Sequence, residues 1–66
     1  MDAKIIADTI KQMADLARAG SITLELHGTV NAALWELAML KDLREEVHGV
    51  LQEDIEDELV SHVQFF

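Results

Sequence analysis

Two short spacings place metal-ligand side chains about one helical turn apart. Glu45-Glu46-Val47-His48 contains a Glu-x-x-His step, and Glu58 and His62 stand four residues apart. On a helix, residues three or four apart are surface neighbours. Di-metal carboxylate bundles use such a Glu/His pair from each of two helices, with two further glutamates. A dimer of this chain would supply the second pair. Against that reading, Glu45 and His48 fall on the polar side of their segment, and a chain with 13 acids and three histidines produces such spacings by chance. The expectation is an exposed surface pair, no cofactor and no resident metal, with Glu45, His48, Glu58 and His62 as the candidate ligands if one binds.

Nucleophilic chemistry has less support. The serines, Ser21 and Ser61, have no glycine-rich elbow or oxyanion loop around them. A pocket of a few hundred cubic ångströms would also take a large share of so small a domain. The chain reads as a non-enzyme.

The acids offer more. Seven of them lie between Glu45 and Glu58. They suit a solvated face that keeps a hydrophobic small protein dispersed. They also suit a docking surface for a basic partner, where charges raise the on-rate and fix orientation; Glu53, Asp54, Glu56, Asp57 and Glu58 are the candidates. A third reading is nucleic-acid mimicry, because carboxylates three or four apart on a helix sit about 5–6 Å from one another. Ile55, Leu59 and Val60 interrupt that stripe. The apolar counterpart is Trp35, Met39 and Leu43, one turn apart on the back of a long helix. They serve either as core or homodimer packing, or as anchors for a different protein, since Trp and Met are enriched in interface cores. His27, His48 and His62 read as surface residues.

Composition narrows the partners. The chain has 66 residues, half of them hydrophobic, and a formal net charge of −8. Residues 1–44 hold six acids and all five bases, whereas residues 45–66 hold seven acids and no base. Length allows one domain, 1–66, with a near-neutral assembly part and an acidic C-terminal part. A surface of this sign repels phosphate and anionic lipid, so direct nucleic-acid and membrane binding are disfavoured. The longest nearly uninterrupted apolar run, Ala32 to Leu40, is far short of the roughly 18 residues of a membrane span. The N-terminus lacks the features of a signal peptide. The expected setting is cytoplasmic. Zero cysteines exclude disulfides and thiolate metal sites. Small regulators and phage-encoded inhibitors share this kind of composition, an analogy that transfers no residue.

The elements that must carry these groups follow from periodicity. Ile6, Ile10, Met13 and Ala17, flanked by Ile5 and Leu16, predict a helix over 2–18, with Asp2 as its cap and Gly20 just past its end. Ile22, Leu24 and Leu26 alternate with polar residues and predict a short extended segment over 21–27. The same residues, with Val30, also fit a four-residue spacing that Gly28 weakens. A long helix is expected over 30–50, capped by Thr29 or Asn31. Its first half is apolar on nearly every side, which calls for cover on both sides, and a second copy is the simplest cover. A change of phase predicts a bend between Gly49 and Asp54, then a C-terminal helix over 54–63 capped by Asp54, with Asp57 completing a capping box. Phe65 and Phe66 form an apolar tail.

Together these make a mainly α fold, a dimeric helical bundle joined through its central helix. The expected role is that of a small acidic interaction or inhibitor protein that binds a larger protein.

Overall fold

Asp2 opens the fold. In the computed structural model, which describes residues 2–61, its side chain accepts the Ile5 N–H at 3.0 Å and starts helix α1, Ala3–Arg18. A carboxylate there satisfies one of the amides that a helix start leaves without partners. Ile6, Ala7, Ile10 and Ala14 form the buried stripe of α1, while Ile5 and Leu16 remain exposed. The expected face is present, with alanines rather than Met13 at its centre.

The end of α1 is a glycine stop. Gly20 has φ +77°, its N–H donates to the Ala17 carbonyl at 3.1 Å, and the Ser21 N–H donates to Leu16 at 2.9 Å. This crossed pair of bonds needs a left-handed residue, which glycine adopts without a Cβ penalty.

The extended segment over 21–27 is not found. Helix α2 spans Leu24–Leu40, and no strand occurs among the described residues. Thr23, not Thr29 or Asn31, is the cap, its hydroxyl accepting the Leu26 N–H at 3.0 Å. The alternating apolar residues are not a buried strand face, since Leu24 is 67% exposed and Leu26 49%. The four-residue spacing prevails over the two-residue one because a capped helix satisfies its own backbone, whereas a lone strand requires a partner.

The long helix over 30–50 is likewise corrected. It breaks after Leu40, and a separate helix, α3, spans Arg44–Val50. The break repeats the chemistry at Gly20. Asp42 sits at φ 61°, its N–H donates to Met39 at 3.1 Å, and the Leu43 N–H donates to Ala38 at 2.7 Å. An aspartate occupies the left-handed position where glycine is usual.

α3 ends at Val50, within the region where a bend was expected. No C-terminal helix follows among the described residues. Instead, residues 51–61 form a strap of successive turns, in which Asp54, Asp57 and Val60 donate their N–H groups to the carbonyls of Leu51, Asp54 and Asp57 at 2.7, 3.0 and 2.9 Å. Asp54 therefore caps no helix, and the capping box with Asp57 is absent. The rest of the expected 54–63 helix, with His62, Phe65 and Phe66, lies outside the described residues.

The core is continuous through all these pieces. Ile6, Ala7, Ile10 and Ala14 of α1 meet Trp35 and Ala38 of α2, Val47 of α3, and Leu51 and Val60 of the strap. Small side chains at Ala7, Ala14 and Ala38 and the large Trp35 ring share this one cluster. Among the described residues this is a small all-α domain of three helices.

Candidate functional site

The strap reads in threes, and that sorts its side chains. With one hydrogen-bonded turn every three residues, positions 51, 54, 57 and 60 fall on a common side. Leu51 and Val60 are buried in the core. Between them, Asp54 pairs with Lys11 at 3.5 Å and Asp57 pairs with Arg18, both bases lying on α1. Arg18 also holds Asp15 at 2.9 Å. Glu53, Glu56 and Glu58 are exposed and form no ion pair among the described residues.

The five candidate steering acids thus separate into two groups. Asp54 and Asp57 fasten the strap to α1, and Glu53, Glu56 and Glu58 face solvent. Asp57 is the most constrained. The Leu59 N–H donates to its Oδ1 at 2.8 Å, and that bond does most to hold its carboxyl below the usual 3.8. Partial burial opposes the effect, while the Arg18 hydrogen bond and charge, and the nearby His27 ring, reinforce it.

Beneath the strap, α2 presents a ladder at four-residue intervals. Trp35 Nε1–H donates to the Val60 carbonyl at 3.1 Å, and Asn31 Nδ2–H donates to the Ser61 carbonyl at 3.2 Å. His27, one turn earlier, is buried, and neither its Nε2 nor the Asn31 Oδ1 has a hydrogen-bond partner. His27 was expected at the surface. The overlooked signal was the regular placing of 27, 31 and 35 in a helix otherwise apolar on most sides.

The apolar candidates do not form one face. Trp35 is 4% exposed and belongs to the chain's own core. Met39 is 58% exposed, and Leu43 lies beyond the end of α2, half-buried against the core. The break at Asp42 removes the straight helix on which the three would have aligned. Met39 instead borders an open hollow of about 480 Å³ with Asp42, Arg44, Glu45 and Glu46.

Of the metal candidates, Glu45, His48 and Glu58 form no metal-ligand group among the described residues. Glu45 is exposed, whereas the His48 ring is half-buried and turned onto Trp35, with centroids 4.9 Å apart and planes tilted by 47°. Glu58 is exposed on the strap, and His62 lies outside the described residues. No group of three potential ligands occurs among the described residues, and no helix there is long and apolar enough to cross a membrane. Comparison of the chain with protein-family models, with curated proteins and with solved structures finds no match.

Proposed function

We propose that this chain is a non-enzymatic interaction or inhibitor protein that binds a larger protein bearing a basic surface. The observation that carries the reading is the sorting of the strap's acids. Two are spent on holding the strap to α1, so the outward three stand on a fastened platform. Carboxylates held on an ordered support lose less freedom on binding than those on a loose tail. Glu45 and Glu46, exposed on α3, extend the acidic character, and Met39 beside them offers an apolar contact. No base lies anywhere in residues 45–66 to offset these charges.

Nucleic-acid mimicry is a weaker reading than the sequence suggests. Its spacing argument used a helix through the acidic block, and residues 51–60 are turns. The carboxylate–histidine metal reading has no observation in its favour.

The triple variant Glu53→Lys, Glu56→Lys, Glu58→Lys tests the proposal. The wild-type chain, immobilised at low salt, should retain a basic protein that the variant releases, while the two chains melt at similar temperatures. Equal retention by both would sink the reading. Displacement of the retained protein by excess DNA or RNA would instead support mimicry.

A further inference from the structure

The inward ladder leaves the opposite side of α2 unexplained. Leu26, Val30, Ala33, Leu37 and Leu40 follow one another at intervals of four, three, four and three residues. That alternation is the seam pattern of a coiled coil, with Leu26, Ala33 and Leu40 at one seam position and Val30 and Leu37 at the other. The stripe faces out. Leu40 is 86% exposed, Leu26 and Ala33 are exposed, and Val30 and Leu37 are half-buried. The fully buried positions of α2 are a different set, His27, Asn31, Trp35 and Ala38, and of the stripe only Leu37 also packs against the core.

We propose that this stripe is the seam of a parallel homodimer, in which α2 of one copy lies along α2 of a second. Two features select a second copy as the occupant. Between Leu26 and Leu40 the sole charged residue is Glu36, so the stripe is where two chains of net charge −8 can approach with least repulsion. The charges at its edges are also self-complementary. Glu36 immediately precedes seam residue Leu37, and Lys41 immediately follows seam residue Leu40. In a parallel coiled coil these are the two flanking positions that meet across the seam, five residues apart. Glu36 of each copy therefore meets Lys41 of the other. Both are exposed, and neither joins an ion pair within its own chain among the described residues. An antiparallel pair would set Glu36 beside the second copy's Thr29 and leave both charges unpaired.

Size sets the strength. A 17-residue helix is roughly 25 Å long. A seam of that length buries less than the about 800 Å² per partner of a standard interface. The dimer is accordingly a reversible one in the micromolar range. None of the five seam residues is fully buried in its own chain, though Leu37 touches the core, and the seam stands whether or not the acidic strap binds a larger protein.

Sedimentation equilibrium across the micromolar range tests it. The expected result is a monomer–dimer equilibrium that tightens with added salt, as repulsion between the acidic bodies is screened. Ala33→Glu, at an exposed position, should weaken the dimer by at least about 100-fold with helix content unchanged. Glu36→Lys should weaken it by about three- to ten-fold, and the double variant Glu36→Lys, Lys41→Glu should restore it. Because the chain has no cysteine, Leu40→Cys reports orientation: mild oxidation should cross-link two such chains to each other. A monomer at every concentration, or a dimer indifferent to Ala33→Glu, would overturn the seam. Cross-linking of Leu40→Cys only with Leu26→Cys, and not with itself, would overturn the parallel arrangement.

Discussion

Asp57 concentrates several jobs in one residue. It accepts from Leu59, pairs with Arg18, and offers its carbonyl to both Val60 and Ser61, whose own carbonyls receive the Trp35 and Asn31 donors. Its pKa is held down in the folded chain, so the ionised form is the one that folding favours. The associated stability is present above its ordinary value of 3.8 and is lost as pH falls through the lower folded value. In urea titrations below about pH 4, Asp57→Asn should therefore show a shallower loss of stability with falling pH than the wild type. Identical acid limbs would remove Asp57 from this role. The acids of the strap could be named from the sequence, but not their division. That depends on whether the backbone repeats every 3.6 residues or every three, and no residue type between 51 and 61 declares the choice.

At the scale of elements, α1 and α2 end in the same hydrogen-bonded motif with different residues at its left-handed position. A non-glycine residue there bears a steric cost of about 1 kcal/mol that glycine avoids. Asp42→Gly should raise stability by about 0.5–1 kcal/mol, read as a higher urea midpoint at constant slope. A lower midpoint would mean that the aspartate side chain stabilises this turn beyond its geometry. The same comparison shows what was legible. The Asp2 cap, the Ile6–Ile10 face and the Gly20 stop all use residues that advertise their role, and the first helix is found where expected. At Asp42 the stop is hidden by an ordinary surface residue, so two helices read as one. At Thr23 a helix start is masked by apolar residues that alternate in the manner of a strand.

For the whole molecule, the balance of charge opposes folding while its ion pairs support it. Four ion pairs occur among the described residues, all between partly exposed side chains. Such pairs contribute about 0–1 kcal/mol each and weaken with salt. The repulsion of a −8 chain is also screened by salt, and the seven acids in residues 45–66 against no base lead us to expect it to be the larger effect. The melting temperature of the dilute chain should rise as sodium chloride is raised from about 0.01 M to about 0.3 M. A fall would show that the Lys11 and Arg18 bridges outweigh the repulsion. α2 is apolar on so many sides because it carries both an inward ladder for the core and strap and a more exposed stripe, of which only Leu37 also packs against the core.

Trp35 gives this molecule a built-in optical gauge. It is the chain's one tryptophan, and its indole N–H is bonded to the strap at Val60. Lifting the strap would expose the ring to water and break that bond while α1 and α2 remained paired. Intrinsic emission therefore follows the strap's position directly, without a dye or an added label. Circular dichroism in the far ultraviolet follows the helices, so a red shift that precedes loss of helicity would mark the strap as the first part of the fold to open.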